Sequence, residues 1–318
     1  MKTEKTVSKK SKTASTKKFW NEIYRDRYLY MMMLLPMVFF VVFKYIPMFG
    51  TMIAFKDYKI NQGILGSAWV GLKHFSALAK SADFYNIFGN TLLLSVLNIV
   101  CGFPVPIVLA ILLNELRNVK FKKTVQSILY IPHFISWVIL GSIITTMLSP
   151  STGVINKIIE LCGGEAIYFL ADKTWWRIVY VLSGIWQSAG WGTIVYLAAI
   201  TGIDAELYNA AKIDGANKWQ QILHITLPGI SGTICILLIM RMGSVLNLNF
   251  DQIFVLQNDM VIDISDVIST YEYRLGLLNM QYSYTTALGL FKGVIGLILV
   301  VTTNMIVNKI SDGESGLW

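Results

Sequence analysis

Six stretches of this chain, 28–54, 88–113, 125–148, 178–201, 230–250 and 285–307, are long and apolar enough to cross a bilayer. A helix needs about twenty apolar residues to span the hydrocarbon core. Once in lipid, the segment has to satisfy its own backbone hydrogen bonds. The reading is an all-α membrane protein with six transmembrane helices. Lys44 and Pro47 interrupt the first run, Pro104 and Pro106 the second, and Pro132 lies near the start of the third. Such prolines mark either kinks on which helices rock or static bends. Composition agrees: of 318 residues, 54% are hydrophobic and 14% charged, where a soluble domain carries about a quarter charged residues. Cys101, Cys162 and Cys235 show no metal spacing and imply no disulfide framework. They read as small buried hydrophobes.

The formal net charge of +8 does not point to nucleic acid, because nine of the 27 Lys and Arg fall in residues 1–27. That basic head reads as a disordered cytoplasmic tail held near anionic lipid. The apolar run after it is too long for a cleaved signal peptide and lacks a small-residue cleavage site. With the amino terminus inside, the segments 1–27, 114–124, 202–229 and 308–318 hold 16 Lys and Arg, against 8 in 55–87, 149–177 and 251–284. The bias places both termini and the insert 202–229 in the cytoplasm. The outer loops, each about thirty residues, exceed what a connector needs. They are either surface helices that receive a partner or lids over helix ends.

The insert 206–229 is polar between strongly apolar runs. Leu207, Ala210 and Ala211 fall together on one helical face. Asp214-Gly215 signals a turn, with Gly215 ending the helix. A second short helix follows through Trp219, Ile222 and Leu223, and Pro228 is expected to stop it. Two small helices in a hairpin would present alanine and glycine to a closely approaching backbone. An amphipathic loop lying on the bilayer is the other reading of the same pattern.

This stretch resembles the EAA loop of ATP-binding-cassette importer permeases. The family pattern is Glu-Ala-Ala, three residues, Gly, and about nine residues to Ile-x-Leu-Pro. Ala210, Ala211, Asp214, Gly215, Ala216, Ile225, Leu227 and Pro228 stand at matching places, and Asn209 replaces the glutamate. In the family this loop is the coupling helix that docks on the ATPase, so the resemblance implies ATPase coupling through Glu206, Asn209, Ala210, Ala211, Asp214, Gly215, Ala216 and Pro228. Similarity to the carbohydrate-uptake branch extends to Phe43-Lys-Tyr-Ile-Pro-Met-Phe-Gly50, Trp69-Val-Gly-Leu-Lys-His-Phe75, Leu113-Asn-Glu-Leu116, Ile131-Pro-His-Phe-Ile-Ser-Trp137, Asn249-Phe-Asp-Gln-Ile-Phe254 and Thr270-Tyr-Glu-Tyr-Arg274. It covers nearly everything from about residue 28 to 310, and is similar to the oligosaccharide importers common in Gram-positive bacteria.

The resemblance implies a type I ABC importer permease (MetI-like) fold. It implies a permease domain 28–310 containing the coupling loop 202–229, a basic tail 1–27 and a C-terminal cytoplasmic tail 311–318. It also implies a multi-pass protein of the bacterial cell membrane that takes up oligosaccharides. Its expected partners are a second homologous permease in a heterodimer, two cytoplasmic ATPase subunits and an extracellular substrate-binding lipoprotein. ATP and Mg would be used by the partner ATPase, with no cofactor in this chain. The rival from another class is an ion-coupled secondary sugar carrier with Arg241, Lys292 and Asp251 as coupling charges. Such carriers often show internal repeats, and no convincing repeat is visible here.

For an enzyme, the sequence offers little. It has no Gly-x-x-x-x-Gly-Lys-Ser/Thr phosphate loop, no His-Glu-x-x-His and no nucleophile elbow. His74, His133 and His224 fall outside, within and inside the membrane in this topology, so no catalytic residue and no metal ligand is assigned. A sugar pathway needs aromatic faces and hydroxyl-binding polar groups, and fixed charges serve a neutral solute less. The candidates are Tyr180, Trp186, Gln187 and Trp191 in the fourth run and Asn247, Asn249 and Asp251 at the end of the fifth. Tyr180, Gln187 and Trp191 share one helical stripe. An aromatic interface belt with helix–helix hydrogen bonds is the alternative reading. Arg241 and Lys292 are expected either to pair with an acid or to face the partner permease.

Overall fold

The computed structural model describes residues 24–310 and divides into two units, one up to Gly71 and one from Leu72. The basic tail, apart from residues 24–27, and the C-terminal tail 311–318 lie outside the described residues.

The first unit opens with α1 (Arg27–Phe40), which runs on through a wider π turn and a final 3-10 stretch as one span, Arg27–Phe55. No residue of α1 is buried. Beyond it, β1 (Lys56–Asp57) pairs antiparallel with β2 (Ala68–Trp69), Lys56 opposite Trp69. The buried Lys56 ammonium donates to the Ile64 carbonyl at 2.7 Å, and Phe55 stacks on Trp69 at 5.8 Å.

The second unit begins with α2 (Lys73–Lys80) and α3 (Ala82–Leu97), which continues through a π turn at Asn98–Gly102 into α4 (Pro104–Glu115). Together these make the span Ala82–Glu115. α5 (Val119–Tyr130) and a 3-10 turn then lead to α6 (Trp137–Met147) across a bend of 102°. α7 (Val154–Leu161) precedes the long α8 (Lys173–Thr201). Next come α9 (Ala205–Ile213), α10 (Lys218–Gln221) and α11 (Ser231–Gly243). Two short helices, α12 (Phe250–Leu256) and α13 (Ile268–Glu272), lead to α14 (Tyr282–Ile310). Among the described residues, four helices are long and apolar enough to cross a membrane alone, or up to six spans if each bent pair counts as one.

The third expected run is bent within its length, and the fifth ends early as a helix. Run 125–148 is split because Pro132 opens a 3-10 turn and Ser136 takes an extended backbone (φ −64°, ψ 149°). Run 230–250 ends as a helix at Gly243, and Asn249 caps a separate helix with its side chain. Pro228 does not stop the second hairpin helix either. That helix continues over Lys218–Gly229, and the break comes at Ile230, with a 58° bend. The reason is visible just upstream, where the turn widens and the Leu227 N–H reaches the Ile222 carbonyl. A wider turn makes room for a proline ring that lacks an N–H to donate. The same device precedes Pro47 and Pro104.

α8 is the axis of the second unit. Near its start Trp176 and Tyr180 are stacked and fully enclosed among Leu94, Ile253, Leu256 and Val267. The Trp176 indole donates to the Leu256 carbonyl at 2.9 Å, which satisfies its one polar atom. Near its end Tyr196 and Ile200 pack with Ala110 and Ile230. Between these clusters glycine lets neighbours close in: a methyl group at Gly190 would overlap the Leu129 carbonyl of α5, and one at Gly192 would press on Pro106 at 3.1 Å.

The loop after α11 is folded into the unit rather than lying over it. Gln252, Ile253 and Leu256 are buried, Asn90 donates to the carbonyls of Asp263 and Asp266, and Arg274 pairs with Asp266. Lys173 bonds to Asp263 and holds that carboxyl below its ordinary range. The cysteines depart from expectation: Cys101 and Cys162 are exposed and Cys235 half-buried. Cys101 lies on the π turn and Cys162 caps the end of the short α7, so neither is enclosed by a regular helix pair.

Candidate functional site

A cavity of about 620 Å³ opens among α3, α4, α8, α11 and the start of α12. Its polar wall comes from residues that interrupt apolar helices. Asn98 sits where α3 gives way to the π turn, and its amide donates to the Tyr180 hydroxyl at 2.9 Å. Gln252 donates to the Tyr180 carbonyl at 2.7 Å and to Ser183 Oγ at 3.1 Å. Gln187 reaches the His133 carbonyl at 3.3 Å. Asn247 and Asn249 enter from the segment between α11 and α12. Polar groups at membrane depth are costly unless they face protein or water, and this wall offers both.

Of the seven residues expected along a sugar pathway, Tyr180, Gln187, Asn247 and Asn249 line the cavity, whereas Trp186, Trp191 and Asp251 do not. Trp191 instead stacks on His133, with centroids 4.7 Å apart and planes 3° apart. It lies on the stripe with Tyr180 and Gln187, but α5 and the turn after it pack against that end of α8 and take the ring. Trp186 is half exposed, and Asp251 is exposed in the first turn of α12. Asn98, Gln252 and Trp137 line the cavity without having been picked from the sequence. Asn98 carried a signal, being an amide in the middle of an apolar run. Gln252 and Trp137 carried none, since only the fold of the loop and the α5–α6 bend bring them inward.

The two charges flagged in the spans separate. Lys292 pairs with Glu272 at 2.9 Å. Arg241, in the last turn of α11, lines the cavity.

The second site is the hairpin of α9 and α10, attached where α8 ends. Asp204 caps α9 by accepting from the Glu206 N–H at 2.9 Å. At the other end Gly215 takes φ +80°, the Ala216 N–H donates to the Ala211 carbonyl at 2.8 Å and the Gly215 N–H to Lys212 at 3.2 Å. This pair of bonds closes a helix through a left-handed residue, which glycine adopts without a Cβ penalty. Asn217 then forms a reciprocal cap with Gln220, at 2.9 and 2.7 Å. Tyr208 and Thr226 hydroxyls meet at 3.0 Å and tie the two arms together. Glu206, Asn209, Ala210, Asp214, Gly215 and Pro228 are exposed, while Ala211 and Ala216 are half-buried inside the turn. Leu207, Ile213, Trp219 and Leu223 are also exposed, so the hairpin shows an apolar surface that nothing among the described residues covers. Lys218 pairs with Glu115 at the end of α4.

Comparison with known proteins adds to this geometry. Residues 81–312 match the family described as binding-protein-dependent transport system inner membrane component. The chain is 47% identical over 307 residues to the polygalacturonan/rhamnogalacturonan transport system permease protein YteP of Bacillus subtilis, covering 96% of this chain and 95% of that one. It is 44% identical to protein LplB of the same organism, covering 92% of each. Among solved structures it is similar to a chain of a bacterial ABC transporter involved in the import of the acidic polysaccharide alginate. The TM-score is 0.84 at 42% identity, over 92% of this chain and 99% of that chain. A second structure shows the alginate transporter in complex with an alginate pentasaccharide-bound periplasmic protein, with a TM-score of 0.85. With most of its length matched and its cavity and hairpin built on the same helices, the chain belongs to the binding-protein-dependent inner membrane components, the permease subunits of ABC importers.

Proposed function

We propose that this permease carries oligosaccharides into the cell as one half of a heterodimer with a second, dissimilar permease. An extracellular binding lipoprotein delivers the sugar, and two cytoplasmic ATPase subunits use ATP and Mg to drive the cycle. The relatives support the sugar class, since their names specify polygalacturonan, rhamnogalacturonan and alginate. The observation that carries the coupling is mechanical: α8 lines the cavity at Tyr180 and Gln187 and ends at Thr201, three residues before the Asp204 cap of the hairpin. A displacement of the hairpin therefore reaches the cavity wall along one unbroken helix.

In this reading the exposed Glu206, Asn209, Ala210 and Asp214 form the ATPase contact. Gly215, Ala211 and Ala216 fix the turn that makes the two arms one rigid body, and Pro228 lies at the joint with α11. Asn209 brings an uncharged amide where the family pattern has a carboxylate, and an amide can both donate and accept there. Docking that differs between open and closed ATPase dimers shifts the population of permease states by that difference in affinity. The tails 1–27 and 311–318 and the hairpin 202–229 lie in the cytoplasm on this scheme, around a membrane domain 28–310.

The test is uptake by the complete importer in proteoliposomes loaded with ATP. Accumulation of a labelled oligosaccharide should require internal ATP, survive a protonophore and stop when the hairpin is removed. Uptake that collapses with the ion gradient while ATP remains would sink the proposal.

A further inference from the structure

We infer that the saccharide carried through this cavity is acidic, and that Arg241 is the residue that reads its carboxylate; this rests on the oligosaccharide reading above. Among the described residues, Arg241 is the one fixed charge on the cavity wall, and no Asp or Glu lines the wall with it. The ion pairs of the second unit join Lys173 to Asp263, Lys218 to Glu115, Arg274 to Asp266 and Lys292 to Glu272, so none of them neutralises Arg241. The contrast with Lys292 is the point: that cation is met by Glu272 within the protein, whereas Arg241 lines the cavity with no ion-pair partner among the described residues.

An arginine on a membrane span is costly unless it is paired or faces a wet cavity. In a wet cavity, water would satisfy it at rest. When substrate displaces that water, a neutral sugar would leave the guanidinium desolvated without a counter-charge, which is unfavourable. A uronate ring removes the conflict. Its carboxylate matches the planar fork of the guanidinium, which binds carboxylates with two parallel hydrogen bonds. Its hydroxyls meet the amides of Asn98, Gln187, Asn247 and Asn249 around the Tyr180 hydroxyl. It differs from the neutral sugar considered from the sequence, and the similar alginate importer handles an acidic polysaccharide.

The experiment measures saccharide binding to the purified importer in detergent by equilibrium dialysis, without the binding protein, so that only the permease cavity selects. The probes are a galacturonate trisaccharide and the same trisaccharide with its carboxyls reduced to alcohols. The wild type should prefer the acid, and salt should weaken that binding. Arg241→Gln should weaken the acid about tenfold or more, the loss expected for a charged hydrogen bond, and abolish the salt effect. The reduced sugar should stay within about twofold, a shift well under 1 kcal/mol. Arg241→Lys, which keeps the charge but not the fork, should fall between. Equal weakening of both probes would mean that Arg241 holds the fold or meets the partner permease, and would overturn the assignment. So would no weakening of either, or a wild type indifferent to the carboxyls. A wild type that binds neither probe would overturn the assignment of a saccharide-reading site to this cavity while leaving delivery-dependent oligosaccharide import standing.

Discussion

Gly190 is where the backbone of α5 presses hardest on α8. Any side chain there meets the Leu129 carbonyl oxygen, an atom of a helix backbone that cannot swing aside. Gly190→Ala should therefore destabilise the purified protein by about 1–3 kcal/mol, the usual penalty of an overpacked core. Gly89→Ala, where nothing lies within 4 Å of the added methyl, should leave the melting temperature unchanged or slightly raised. Thermal unfolding of the two variants in the same detergent checks both. Single residues also explain which site positions were readable in advance. Asn98 and Arg241 declare themselves because a polar side chain within an apolar run needs a reason. Trp191 misleads: an aromatic on the same stripe as Tyr180 looks equivalent in a helical projection, yet its ring is taken by His133. Such competition between neighbouring helices for one face is decided by packing, which the linear pattern does not contain.

The hairpin is the element whose form was most fully written in local chemistry. Its Asp204 and Asn217 caps, its left-handed Gly215 and the Gln220 reciprocal bond all follow from residues within four positions of each other. Where elements depend on partners farther away, local reading fails. The bend between α5 and α6 needed more than Pro132, and the continuation past Pro228 needed a π turn that propensity does not announce. Asn217→Ala removes the reciprocal cap and should cost α10 about 0.5–2 kcal/mol. Gly215→Ala forces a Cβ into the left-handed region and should cost about 1 kcal/mol. In the complete importer both should lower transport-coupled ATP hydrolysis while saccharide binding stays intact. Hydrogen exchange at residues 205–221 should rise in step. Loss of binding with unchanged exchange would contradict the rigid-arm role.

For the whole molecule, the fold class and family were legible and the number of straight crossings was not. Six apolar runs were visible; among the described residues four helices span unaided and two bent pairs bring the number to six, because length in sequence does not say where a chain turns. The sidedness we propose from the distribution of Lys and Arg can be checked directly. A cysteine at Ile213, which is 86% exposed, should react with a membrane-impermeant maleimide in inside-out vesicles and not in intact cells. Cys101 and Cys162 are replaced first because both are exposed. Labelling on intact cells would reverse the assigned topology. One last consequence belongs to α1. Its residues are all exposed, and its apolar length is what suits it to the bilayer. A lesion such as Leu35→Arg would thus surface during biogenesis, as failed insertion worth about 3 kcal/mol at the helix centre, before any tertiary fold exists to be disturbed.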